Sequence, residues 1–169
     1  MTLRVAIVGS ASSGKTTLAQ ALAARYGSVW VPEYLREFVE TRERVPAEED
    51  QLPIAQTQLA REDLAATRAG RFLFCDTTPL MTLVYSLHYF GRVDTGLAAL
   101  AASRRYDVTL LCAPDIPWVP EGLVREPEDQ SAAVNAILAE ELAARAIPFV
   151  RIHGPLEERL RQVEQVLGR

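Results

Sequence analysis

A glycine, four residues, then Gly14, Lys15 and Thr16 make the run GSASSGKTT from Gly9 to Thr17, and its chemistry is that of gripping phosphate. Lys15 is the sole lysine of the chain, because 17 of its 18 basic residues are arginine. A planar guanidinium fork cannot replace a compact ammonium between two phosphate groups, which gives a reason for one lysine to stand here. The spacing G-x-x-x-x-G-K-[ST] lets the backbone wrap so that its N–H groups and a helix N-terminus face a di- or triphosphate. Gly9, Ser12, Ser13, Gly14, Lys15, Thr16 and Thr17 are therefore the expected nucleotide-binding residues, with the Thr16 hydroxyl on Mg²⁺. The alternative is a plain glycine-serine turn between strand and helix.

Further candidates lie at the ends of apolar runs. The apolar run in RFLFCDTT leads to Asp76, a second expected Mg²⁺ ligand; Asp115, closing TLLCAPD, is the weaker candidate. Asp76 is followed by Thr77 and not by a water-activating glutamate, so transfer to an acceptor is favoured over hydrolysis by an AAA-type or motor ATPase. The only asparagine is Asn135, so the N-K-x-D guanine signature of GTPases is missing. In SVWVPEYLREFVE, Glu33 ends a run on the rim where an acceptor would lie, and is the candidate base; it reads equally as a glutamate favoured by a helix dipole. Tyr34 and Arg36 follow as candidate acceptor contacts, Arg36 alternatively pairing with Glu40. Trp118 lies among prolines and offers an aromatic face, or else packs on the core. Arg125, after Gly122, is a candidate for swinging onto the transferring phosphate. His88 and His153 show no metal spacing.

The elements that must position these groups follow from periodicity. Buried strands are expected at Leu3–Val8, Ser28–Val31, Arg71–Cys75, Asp107–Cys112 and Pro148–Ile152. Helices are expected at Lys15–Tyr26, brokenly from Glu33 to Ala69, and at Pro79–Tyr89, Gly96–Arg105, Ser131–Arg145 and Leu156–Leu167. Alternation of the two predicts an α/β fold of the P-loop NTPase type, a three-layer sandwich with a five-stranded, mostly parallel sheet and binding loops at the carboxyl ends of the strands. The proline-rich stretch Ala113–Gln130 breaks the pattern and is expected to be a lid.

With 169 residues, the expectation is one domain over 1–169. A net charge of −4 argues against a nucleic-acid surface. Cys75 and Cys112 each end an apolar run and read as buried, reduced thiols. No run has the length to cross a bilayer, so a soluble cytoplasmic protein is expected.

In order, GSASSGKTT, EYLRE, CDTTPLMT, HYFG and PWVPEGLVRE resemble the ribosylnicotinamide kinase domain of the bifunctional bacterial NAD-biosynthesis regulator, over most of the chain. The resemblance implies a P-loop kinase that uses ATP and Mg²⁺ to phosphorylate the ribose 5′-hydroxyl of nicotinamide riboside, giving nicotinamide mononucleotide. With that reaction, the residues read above are expected to act as Lys15, Glu33, Asp76 and Arg125 in transfer and as Glu33, Tyr34, Arg36 and Trp118 in binding the riboside. Thr78 stands where that family often has a second aspartate. Alternatives are a kinase for another nucleoside or small alcohol, and a module that binds ATP or ADP and signals without transfer.

Overall fold

The computed structural model describes residues 1–115 and 128–168. Five strands, β1 (Leu3–Val8), β2 (Val29–Val31), β3 (Phe72–Asp76), β4 (Val108–Cys112) and β5 (Val150–Ile152), form one sheet in the order β2-β3-β1-β4-β5. Every pairing in it is parallel. Among the described residues the α-helices are α1 (Lys15–Arg25), α2 (Tyr34–Arg42), α3 (Gln51–Ala66), α4 (Pro79–Phe90), α5 (Thr95–Ser103), α6 (Glu128–Ala144) and, after the last strand, α7 (Leu156–Leu167).

Strand alternation sorts the core into two faces. Val5, Ile7, Phe72, Phe74 and Leu110 pack with Leu18 and Leu22 of α1 and with Leu160 and Val163 of α7. Val8 and Leu111 face the other way, onto Leu83 and Val84 of α4, Leu97 of α5 and Leu138 of α6. The result is helix, sheet, helix. Both cysteines are fully buried and unpaired, on strands flanking β1.

Helix ends follow local chemistry. Pro79 occupies the first turn of α4, where its missing N–H costs nothing, and Gly91 closes that helix in the left-handed region. The Asp94 carboxylate accepts from the N–H groups of Gly96 and Leu97 at 2.8 and 3.2 Å and starts α5. The break expected between Glu33 and Ala69 falls after Arg42: Glu43 turns to φ 54°, and a 3-10 turn at Glu48–Asp50 leads into α3. Residues 116–127, most of the stretch expected as a lid, lie outside the described residues, and Trp118 and Arg125 with them. Among the described residues no helix is long and apolar enough to cross a membrane.

Candidate functional site

Strand register brings the candidate residues together. Ile7 sits beside Asp76 in the β1–β3 ladder, so the phosphate-gripping turn after β1 and the carboxylate ending β3 emerge side by side. Asp76 continues the Phe72 and Phe74 face, which looks toward α1. There its Oδ2 accepts from the Thr16 hydroxyl at 2.6 Å. Oδ1 is buried and has no hydrogen-bond partner among the described residues.

The Gly9–Thr17 turn demands its glycines. Gly9 has φ 148°, and a Cβ there would meet the Cys112 carbonyl oxygen and the Ser13 hydroxyl, both at 2.9 Å. Gly14 precedes α1 at φ 85°. Lys15 is buried, its ammonium donating to the Ser10 carbonyl at 2.8 Å. That same carbonyl accepts from the Ser13 hydroxyl at 2.7 Å, so it keeps a partner when Lys15 turns to an anion.

Glu33 lies two residues past β2 and caps the start of α2, yet its side chain makes no bond to the helix's N–H groups. Its Oε2 accepts instead from the Thr77 hydroxyl at 2.7 Å, in a buried contact. Thr77 holds φ 75°, a conformation a β-branched residue adopts only under constraint. Burial, and then the neighbouring Glu33, push the Asp76 carboxyl up to about 6, against the opposing pull of Lys15, Thr16 and Arg36. Arg36 therefore acts on this centre. Tyr34 is half-buried with the Arg61 guanidinium 4.7 Å from its ring centroid, so one of its faces is already covered.

Asp115 is not free for a metal. It accepts from the Gly154 N–H at 2.8 Å and from Arg159 at 2.6 Å. Arg159 was not singled out by the motifs, yet it is 2% exposed and ties three loops together. Its guanidinium donates to the carbonyls of Ser13 at 2.7 Å, Ala113 at 3.0 Å and Gly154 at 2.7 Å. In a trans peptide the N–H points away from the C=O, so holding the Ser13 carbonyl from behind aims the Gly14 N–H into the opposite side. The signal in the sequence was an arginine on an apolar face, at Leu156, Arg159, Leu160, Val163. Asn135 of α6 is a second missed support: its Oδ1 accepts from the Ser10 N–H at 3.2 Å and its Nδ2 donates to the Ser10 hydroxyl at 3.0 Å. His88 packs edge-on against Tyr89 and lies 3.3 Å from Gln130 Oε1, a structural setting.

The donor set suits a hard divalent cation such as Mg²⁺: one hydroxyl, one carboxylate, and a buried carboxylate oxygen left without a partner. Among the described residues no cluster of three or more His, Cys, Asp or Glu forms a metal cage. Mg²⁺ at phosphate sites is held by few protein ligands, the rest coming from phosphates and water.

The chain belongs to the AAA domain family AAA_28, which matches residues 4–159. It is 32% identical over 154 residues to the trifunctional NAD biosynthesis/regulator protein NadR of Salmonella typhimurium and, equally, to that of Escherichia coli. Those matches cover 88% of this chain and 37% of each relative, so the chain spans little more than a third of the relatives' length. A crystal structure of NadR with NAD and AMP-PNP superposes with TM-score 0.81 at 22% identity, over 99% of this chain and 50% of that one. A NadR complex with NR does so at TM-score 0.81 and 21% identity, covering 99% and 52%. Thymidylate kinase of Candida albicans shares the fold at TM-score 0.73 and 16% identity, over 98% of this chain and 91% of that one. The expected P-loop α/β fold with a five-stranded parallel sheet is thus the observed one. Where an Asp-Glu pair would end an ATPase strand, this chain has Asp76-Thr77, and the second carboxylate, Glu33, comes from the turn after the neighbouring strand β2.

Proposed function

We propose that the chain is an ATP-dependent kinase that transfers the γ-phosphoryl group to the ribose 5′-hydroxyl of nicotinamide riboside. The observation that carries this reading is that Glu33 accepts from Thr77, the residue after Asp76, while Asp76 accepts from Thr16, which puts two carboxylates beside the phosphate-gripping loop. The relatives support the substrate: two are NAD-biosynthesis proteins, and a fold neighbour is a complex with NR.

Gly14, Lys15 and the first turn of α1 hold the phosphates, Lys15 leaving the Ser10 carbonyl for the β and γ oxygens. Thr16 and Asp76 would hold Mg²⁺, which neutralises charge developing on the phosphate oxygens. The recess among Glu33, Gln51, Gln58, Thr82 and Tyr85 is only about 10 Å³, so the acceptor ribose meets Glu33 at its mouth. With Oε2 occupied by Thr77, Glu33 presents its other oxygen to the 5′-hydroxyl and takes its proton as the O–P bond forms and ADP leaves. Gln58 fixes that wall by accepting from the Tyr34 N–H at 2.8 Å and donating to the Pro32 carbonyl at 3.3 Å. Within this reading the whole chain is one kinase domain in the cytoplasm.

The test is ADP release and product mass with ATP, Mg²⁺ and a panel of nucleosides. Nicotinamide riboside should be turned over fastest, with nicotinamide mononucleotide formed one for one with ADP. Turnover of another nucleoside alone would move the acceptor assignment; ATP binding with no nucleoside-dependent ADP release would make the chain a binding module.

A further inference from the structure

A hollow of about 550 Å³ opens on the far side of the sheet from α1. Its floor exists because Ala6 and Thr109, neighbours in the β1–β4 ladder, are both small. Helix α4 packs against both α5 and α6, but α5 and α6 make no comparable contact with each other, and the gap is left between them. Ala101 and Ala102 of α5 and Leu142 of α6 give the hollow apolar walls.

Its polar rim is cationic. Arg105, exposed just beyond α5, makes no ion pair or hydrogen bond to any described residue. Arg145 uses its Nε toward Glu141 at 3.2 Å, which orients the fork and leaves both terminal nitrogens available. Arg104 also reaches the rim, but it is committed to Glu62 at 3.3 Å and Asp63 at 2.8 Å and adds no free donor.

From this geometry we infer a second ligand site, for a small amphipathic anion: an aromatic or alicyclic body in the hollow and one carboxylate, sulfonate or phosphate between Arg105 and Arg145. The volume lies within the range of small-molecule sites, and planar guanidiniums suit a terminal oxyanion. The sheet separates the hollow from α1, although Val8 and Thr78 of its lining are next in sequence to Gly9 and Thr77, and the inference does not rest on the nucleotide reading.

The probe is 1-anilinonaphthalene-8-sulfonate, titrated into the full chain with and without saturating ATP and Mg²⁺, alongside the neutral N-phenyl-1-naphthylamine. One saturable site per chain is expected. Ala102→Trp, at an exposed position that leaves the core untouched, should weaken both dyes about tenfold or more by filling the hollow. Arg105→Ala should weaken the sulfonate about fivefold and leave the neutral dye unchanged. Near-UV circular dichroism of both variants establishes that they fold. The inference is overturned by any of three results: no saturable binding, displacement of the sulfonate by ATP, or affinities unchanged in Ala102→Trp. Equal loss for both dyes in Arg105→Ala overturns the anionic class.

Discussion

The Thr77 hydroxyl donates to Glu33 Oε2 at 2.7 Å, joining the residue after β3 to the residue that starts α2. Thr77 also keeps its own N–H on the Ile7 carbonyl at 3.0 Å, so one strained residue indexes three strand ends against each other. Glu33→Gln should lower kcat by about 10²–10⁴-fold with little change in ATP affinity. Thr77→Val, which keeps the shape and removes the hydroxyl, should cost about tenfold in kcat. Steady-state kinetics with calorimetric ATP titration separates the two effects, and a Glu33→Gln enzyme of normal kcat would remove the base from this position.

Lys15→Ala should abolish transfer while leaving the melting temperature within a few degrees of wild type, because the Ser10 carbonyl retains the Ser13 hydroxyl. Thermal melts beside the ADP-release assay check both halves.

Asp76 titrates at about 6, its burial and the nearby Glu33 being the causes. A metal needs the ionised form, so the Mg²⁺ concentration for half-maximal rate should rise about tenfold per pH unit below about 6. Asp76→Asn should need far more Mg²⁺ at every pH and lose that pH dependence. A flat Mg²⁺ requirement in wild type from pH 5 to 7.5 would dissociate Asp76 from the metal.

Glu62 is fully buried among Arg4, Arg104 and Tyr106, and desolvation lifts its carboxyl to about 7 despite those partners. A raised carboxyl binds its proton more tightly when folded, so this contribution to stability is whole below about pH 4.5 and is lost as pH rises through about 7. Melting temperature should therefore fall between about pH 4.5 and 7 and level off above, and Glu62→Gln should flatten that slope.

Arg159→Ala would strand the two buried carbonyls of Ser13 and Ala113 and the part-buried one of Gly154, and should destabilise the fold by about 3 kcal/mol or more. Arg159→Lys replaces one or two of those bonds, and its folded enzyme should show a raised KM for ATP with kcat nearly intact. Chemical denaturation and kinetics on the Lys variant distinguish aim of the loop from mere stability.

What the sequence disclosed was local. Gly9–Thr17 carries its own geometry, and strands such as Phe72–Asp76 announce themselves as short apolar runs, so the β3 carboxylate could be put beside the loop from alternation alone. Two features escaped. Arg159 and Asn135 reach Ser13 and Ser10 across 146 and 125 residues of chain, a pairing no local pattern encodes. The end of α2 also hid, because Glu43 takes the left-handed turn that a glycine usually marks. Glu33 illustrates the middle ground: its strand-end position was readable, whereas its choice of Thr77 over the helix N–H groups depended on the turn of another strand.

Cys75 and Cys112, sealed on the strands either side of β1, make the native chain its own unfolding clock. Burial raises the pKa of both thiols above its ordinary value, which disfavours the reactive thiolate, and shields them from reagents. A maleimide added in pulses would modify neither while the central strands stay zipped and would mark both once they part. Because one thiol borders each side of β1, the ratio of singly to doubly tagged chains tells whether the sheet peels from one edge or splits all at once, and adding ATP tells how firmly the nucleotide clasps it shut.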